Sequence, residues 1–262
     1  MDVAFIAASN NEEVLQANLL ASPDVAAAEI SVQRGAASAG EAYNRGIAAT
    51  RADLMIFAHQ DMFLPAGWLE KLRRVLAGLE QSDPAWGVLG MFGVTATGVG
   101  EGHLYSTGLR RVLGSDFEGV RQVESLDEIV LVLPRARGLR FDEQLPGFHL
   151  YGADICLEAH RRGRRCYAFS AFGLHNTNGI RLLPGDYWRS YRYMHRKWRS
   201  RLPVMTPCMP IAPWHGPALR YLVRYLASAV RSGPKTGKRV ANPAELLATL
   251  PGRGPGCGKN PN

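Results

Sequence analysis

Leu54 to Ala58 is an unbroken apolar run, LMIFA, that stops abruptly at His59-Gln60-Asp61. A strand with one wet face alternates polar and apolar residues, whereas one covered on both faces need not. This run therefore predicts a strand buried inside a parallel α/β sheet. Ligands of open α/β sheets bind beyond the carboxyl ends of the strands, which is where His59 and Asp61 fall. A carboxylate there can hold a divalent cation against a diphosphate, since Mg and Mn take hard oxygen ligands. The same residues allow a plainer reading. Asp61 could cap the turn or helix beyond Pro65-Ala66-Gly67, and His59 could be a hydrogen-bonded core histidine.

The flanking sequence repeats a strand–helix rhythm. Val3–Ala8 predicts a first strand, and Ser9 with Glu12 has capping-box spacing ahead of a helix carrying Val14, Leu15 and Leu19. Glu29–Gln33 predicts a second strand. Ser38 and Glu41 repeat the capping-box spacing before a helix with Ala42, Tyr43, Ile47 and Ala49 inward. Trp68, Leu72, Leu76 and Leu79 mark an amphipathic helix, and Trp86–Val94 reads as a fourth strand. Such alternation is the pattern of an α/β domain. Beyond Thr95 the pattern loosens into a Gly-rich loop and hairpin (95–120), then two strands flanking Ser125-Leu126-Asp127. A short helix (152–163), a strand (167–174), a basic aromatic helix (186–200) and a basic amphipathic helix (218–230) follow. The five prolines between 203 and 217 exclude regular structure there. The Pro-, Gly- and Lys-rich composition past Gly233 predicts a disordered tail over 233–262.

Net charge is +8, concentrated beyond Arg161 in RRGRR, RYMHRKWRSR and RSGPKTGKR. That balance admits nucleic acid, anionic membrane or phosphorylated substrates as partners. There is no signal-peptide pattern and no spanning apolar run, and the four cysteines lack CxxC spacing. Reduced thiols and a cytoplasmic location, peripheral to the inner face of the membrane, are the expectation.

Several segments in order, the opening strand with SNNE, RGAAS-AGEAYNRGI, FAHQDMFLPAGW, LDE before an apolar strand, and GFHLYGADICLEAHRRG, resemble a GT-A glycosyltransferase of the family-2 type. The resemblance is to the subset with HQD in place of the DxD metal motif, and it extends over roughly 3–200. It implies an α/β GT-A fold: a Rossmann-like nucleotide-binding sheet, mixed and flanked by helices, with a C-terminal helical extension. It divides residues 1–232 into a nucleotide-sugar-binding half (1–100), an acceptor and catalytic half (101–180) and the basic aromatic extension (181–232). The implied chemistry is transfer of a sugar from a nucleotide-sugar donor to an acceptor hydroxyl, inverting, by direct displacement, with Mn or Mg assisting. Donor-binding positions carried over are Ala8, Ser9, Asn10, Arg34, Ser38, Asn44, His59 and Gln60. Asp61 and His175 match metal ligands. The family's acidic pair is missing from Tyr151-Gly152-Ala153-Asp154, which leaves Asp154 as the expected base, with His149 and Asp127 as substitutes.

Each assignment has a bland counterpart. Asp154 could be an N-terminal helix charge favoured by the dipole, His175 a loop hydrogen-bonding residue, and Asn44 a packed helix residue. The acceptor could be a glycan, a lipid-linked glycan or a small natural product. Competing readings are a degenerate GT-A domain that binds a nucleotide sugar without turnover, and a zinc hydrolase, which lacks the tight HExxH spacing. A third is a nucleic-acid binder stacking bases on Tyr191, Tyr193 and Trp198; no nucleic acid is expected, because Tyr187, Trp188, Tyr191 and Met194 fall at helical spacing, the pattern of one packed face and one solvated face. The basic helices could instead rest on anionic membrane, with Arg220 and Arg224 forming a stripe.

Overall fold

The computed structural model describes residues 2–180, 182–230 and 237–250, with side chains from 227 to 230 left aside. Its centre is a seven-stranded sheet. The strands in chain order are β1 (Val3–Ser9), β2 (Glu29–Arg34), β3 (Leu54–Ala58), β5 (Val88–Gly90), β9 (Val120–Val123), β11 (Val130–Pro134) and β12 (Cys166–Phe169). Their spatial order is β2-β1-β3-β11-β5-β12-β9. β2, β1 and β3 are parallel, β11 runs antiparallel between β3 and β5, and β9 is antiparallel to β12. The sheet is thus mixed.

Every residue of β3 is buried because helices cover both faces. Met55 and Phe57 join Ile6, Leu131 and Leu133 in one core, beneath α3 (Ala39–Ala49), α5 (Tyr151–Arg161) and α6 (Gly185–Lys197). Leu54, Ile56 and Ala58 join Phe5, Ala7, Val130 and Val132 in the other, beneath α1 (Glu12–Ala17), the short α2 (Pro23–Ala26) and α4 (Trp68–Ser82). The period-two alternation of a strand sorts its residues between these cores. The sheet approaches α3 closely: a Cβ on Gly46 would lie 2.3 Å from Ile6 Cγ2.

Trp86–Val94 is not one strand. It breaks at Met91 into β5 and β6 (Phe92–Val94), which belong to different sheets. Gly90 and Gly93 make the switch possible, since a Cβ on either would meet Leu126 or the Ser125 carbonyl within 3 Å. β6 enters a smaller sheet with β4 (Met62–Phe63), β7 (Gly100–Ser106), β8 (Arg111–Gly114), β10 (Ser125–Leu126) and β13 (Leu174–His175). This sheet holds β13 against β4, bringing His175 level with Met62.

Four further expectations change. The cap of α1 is Asn11, whose side chain accepts from Val14 N, because the Ser9 hydroxyl is directed to Gln60. Ala49 lies on the exposed side of α3. The aromatics of the basic helix face the core, Tyr191 2% and Trp198 6% exposed, so neither can stack bases. The tail expected over 233–262 gives way within 237–250, where α8 (Pro243–Thr249) packs Leu247 against Phe63 and Leu174. Apolar contact and an Asn242 cap that accepts from Glu245 N override the loop-like composition there. Residues 233–236 and 251–262 lie outside the described residues. Among the described residues no helix is long and apolar enough to cross a membrane, and α7 (Gly216–Val230) follows the proline-rich stretch.

Candidate active site

A cleft of about 1300 Å³ opens at the carboxyl ends of β1 and β3. Ala8, Ser9, Asn10, Ser38, His59, Gln60 and Asp61 line it, joined by His149 and Tyr151 from the other half of the chain.

The turn after β3 is fixed by backbone bonds. His59 N donates to Ile129 O (3.0 Å), Met62 N to His59 O (3.1 Å), and Asn176 N to Asp61 O (2.8 Å). Gln60 holds the neighbouring loop: its Oε1 accepts from Ser9 Oγ (2.8 Å), Asn10 N (3.2 Å) and Asn11 N (3.1 Å). Its amide is occupied in shaping the wall of the cleft. Ser38 caps α3 by accepting from Glu41 N, and its neighbour Ala39 is bonded to Gly147 O across the cleft.

His59, Asp61 and His175 come together, with one ligand atom from each lying within 4.8 Å of the others. Asp61 Oδ1 faces both imidazoles, 3.4 Å from His175 Nε2 and 3.9 Å from His59 Nδ1. Its Oδ2 faces Arg239, 3.5 Å away. Burial opposes the Asp61 charge, yet His175, His59 and Arg239 together hold its carboxyl well below the usual range. Burial, against the pull of Asp61, keeps His59 below its ordinary value and so neutral. His175 moves the other way: burial disfavours its charge, but Asp61 more than offsets this and raises it.

The other nitrogen of His59 is also engaged, Nε2 lying 2.8 Å from the Tyr151 hydroxyl. With its proton on Glu128 O (3.3 Å), that hydroxyl accepts from His59 Nε2–H and from Tyr43. The tautomer that results leaves a lone pair on Nδ1, facing Asp61. Two oriented imidazoles and a carboxylate are a chemically sound donor set for a divalent cation, with the outer partner such ligands need.

The remaining expected residues lie elsewhere or do other work. Arg34 forms an exposed pair with Glu12 (2.9 Å) and does not line the cleft. Asn44 donates to Phe141 O (2.8 Å) and accepts from Phe141 N (3.1 Å), pinning the chain below the cleft. Asp154 is 2% exposed, bonded to Lys197 Nζ (2.8 Å) and Trp198 Nε1 (2.7 Å), and does not reach the cleft wall. Its place on the inner face of α5 makes it a core ion-pair residue, so the expectation of a base at 154 meets no substrate-facing carboxylate. Asp127 accepts from Ile129 N (3.2 Å) beside the His59 backbone. His149 does line the cleft. Burial lowers it, with Asp186 pulling the other way, and its ring sits edge-on to Tyr187 at 5.7 Å.

Tyr43, Glu128 and Tyr151 fall inside the matched segments with no role attached to them, and Arg239 lies outside those segments altogether. Burial and Asp127 push Glu128 up to about 8, and its carboxyl accepts from Leu150 N. Leu150 is held in the left-handed region (φ 66°), a conformation a leucine adopts only under constraint, immediately before Tyr151.

Comparison with known proteins adds family and fold. A sequence model of the family described as "Glycosyltransferase like family" matches residues 4–170. A curated protein from Fuscovulum blasticum, "ATP synthase subunits region ORF 6", is 32% identical over 158 residues, covering 57% of this chain and 61% of that protein. The chain thus matches about three-fifths of the length of its curated relative. S. aureus TarS superposes with a TM-score of 0.50 at 12% identity, over 89% of this chain and 44% of TarS. The mannosyltransferase PcManGT from Pyrobaculum calidifontis, solved with GDP-Man and Mn2+, gives 0.46 at 12% identity, over 94% and 78%. The fold is that of the GT-A glycosyltransferases.

Proposed function

The chain belongs to the glycosyltransferase-like family, and from that premise we propose that it moves a sugar from a nucleotide-sugar donor to an acceptor hydroxyl. The observation that carries the proposal is the His59, Asp61 and His175 cluster at the rim of a cleft large enough for such a donor. The base and ribose would lie along Ala8, Ser9 and Asn10, with Ser38 bordering them and Gln60 holding that wall in place. Residues 1–232 form the catalytic unit of this reading, donor half first, and 237–250 extend it.

His59, Asp61 and His175 would hold the cation, and two imidazoles favour Mn over Mg. A bound divalent cation offsets charge developing on the departing diphosphate. His149 is the base in this reading. Its imidazole is neutral because burial lowers it, and it lines the cleft from the acceptor half. It takes the acceptor proton as the new bond to the anomeric carbon forms and the bond to the diphosphate oxygen breaks. The outcome is inversion. The acceptor is a glycan, lipid-linked or free, or a small natural product.

An anionic membrane is the surface on which the enzyme works in this proposal. Leu219, Val223 and Leu226 of α7 are all more than half exposed, with Trp214 beside them, and Arg220 and Arg224 flank the apolar strip.

Thermal-shift measurement with nucleoside diphosphates, with and without Mn, tests the site. One diphosphate should raise the melting temperature with Mn, and Asp61→Ala should remove that rise. The absence of any shift for the whole diphosphate set would defeat the reading.

A further inference from the structure

Residues 237–250 return to the metal-ligand cluster from far along the chain. Asn176, next to His175, makes the attachment: its Nδ2 donates to Val240 O (2.9 Å) and its Oδ1 accepts from Val240 N (2.8 Å). Gly237 N donates to Gly108 O (3.0 Å), and Gly237 O accepts from Gly179 N (2.9 Å). A Cβ at Gly237 would lie 1.7 Å from Thr107 O, so only glycine fits this approach. Leu247 then buries against Phe63 and Leu174, on the two short strands beside Asp61 and His175.

This clasp sets the position of Arg239. Its backbone N donates to Asn178 Oδ1 (3.0 Å) and its Nε to Asn176 O (2.8 Å). The guanidinium is left with Nη2 3.5 Å from Asp61 Oδ2, on the side of the carboxylate away from the imidazoles. No other acceptor for its terminal nitrogens is present among the described residues, and the side chain keeps 30% of its surface in solvent. The fork is held at its base and open at its tip.

Charge counting says what would complete it. A site with two carboxylates neutralises a divalent cation. This one has a single carboxylate beside two histidines, which bind a metal as neutral imidazoles, so a cation held here keeps net positive charge, and Arg239 adds another. A ligand that satisfies both must carry several anionic oxygens at short spacing. Arginine's planar fork suits phosphate oxygens. We propose that Arg239 is a diphosphate-binding residue of this site, and that the segment 237–250 serves to place it. This rests on the donor reading above and deepens it.

Isothermal titration of the full-length chain with inorganic pyrophosphate, UDP and GDP, in Mn and in EDTA, tests the assignment. Arg239→Gln should weaken pyrophosphate and nucleoside diphosphate binding in Mn by about 10- to 100-fold, the range for losing a hydrogen bond between charged groups. In EDTA the wild type should retain weak pyrophosphate binding that Arg239→Gln lacks. Arg239→Lys should fall between them, and all three should melt alike without ligand. Equal pyrophosphate binding by wild type and Arg239→Gln overturns the assignment, and so does a loss that merely follows a lowered melting temperature. Should the wild type bind no diphosphate even in Mn, the donor-site reading fails before Arg239 is at issue.

Discussion

The Nε2 atom of His59 lies 2.8 Å from the Tyr151 hydroxyl, and this contact decides which nitrogen His59 presents to Asp61. With the hydroxyl proton on Glu128 O (3.3 Å), the imidazole donates from Nε2–H, the tautomer that frees Nδ1 for a metal. Without that acceptor, Nε2–H loses its partner and the ring is free to turn or to change tautomer. Tyr151→Phe should weaken Mn binding by about 10- to 100-fold, the usual cost of removing an outer-shell partner. Titration followed by the Mn electron paramagnetic resonance signal would show it. Unchanged affinity would mean that packing against the ring at position 151 and against His175 is enough to orient the imidazole.

Metal binding should also depend on pH through His175. Its folded-state pKa is raised, so without metal the imidazolium persists above its ordinary value, paired with Asp61. A cation must displace that proton. Mn affinity therefore rises with pH through the raised His175 pKa and levels off above it. The Asp61 carboxyl is depressed and stays ionised throughout this window. For folding without metal the sign reverses: the His175 contribution is full below its unfolded value and disappears as pH rises through the folded one. A flat Mn affinity between pH 6 and 9 would contradict the assignment of His175 as a ligand.

Local signals made much of this legible. β3 announced itself because both its faces are buried, and Ser38 with Glu41 marked the true start of α3. What could not be read depended on partners distant in sequence. Asp154 has the position of a dipole-favoured helix acid, but its role is set by Lys197 and Trp198, more than forty residues on. Asn44 looks like a cleft residue until Phe141, 97 positions away, takes both ends of its amide. Arg239 lies in a stretch whose composition suggests a solvated tail. Only Asn176, 63 positions earlier, shows where its guanidinium goes.

His149 and Asp154 can be separated by kinetics. His149→Gln removes the proposed base while keeping a polar side chain, and kcat should fall by about 10²- to 10⁴-fold with little change in nucleoside diphosphate affinity. Because burial lowers the His149 pKa, the wild-type rate should lose its dependence on this group already below neutral pH. Asp154→Asn should act mainly on stability, since it removes the buried charge that Lys197 Nζ shares with Asp142 (2.7 Å) and weakens the acceptor of Trp198 Nε1. A kcat collapse in a stably folded Asp154→Asn, with His149→Gln fully active, would reverse the two roles.

The surface of α7 bears on where the acceptor is met. Leu219, Val223 and Leu226 recur at helical spacing and are 64%, 56% and 63% exposed, and Trp214 just before the helix is 71% exposed. The opposite side is committed to the domain: Ala218 is buried, and the Tyr221 hydroxyl accepts from Leu183 N (2.8 Å). Arg220 and Arg224 project along one flank of the apolar strip, so the helix offers hydrocarbon to acyl chains and cations to headgroups together. Each arginine adds about 1 kcal/mol at an anionic surface, a contribution that salt screens. The protein should therefore float with vesicles containing phosphatidylglycerol, less at high salt, and least with pure phosphatidylcholine. Leu219→Glu with Leu226→Glu should abolish flotation and leave nucleoside diphosphate binding intact, because neither residue lines the cleft. If the double variant floats like wild type, the arginines elsewhere carry the binding. Self-association lost in the same variant, without vesicle binding by wild type, would assign the strip to a second copy of the chain.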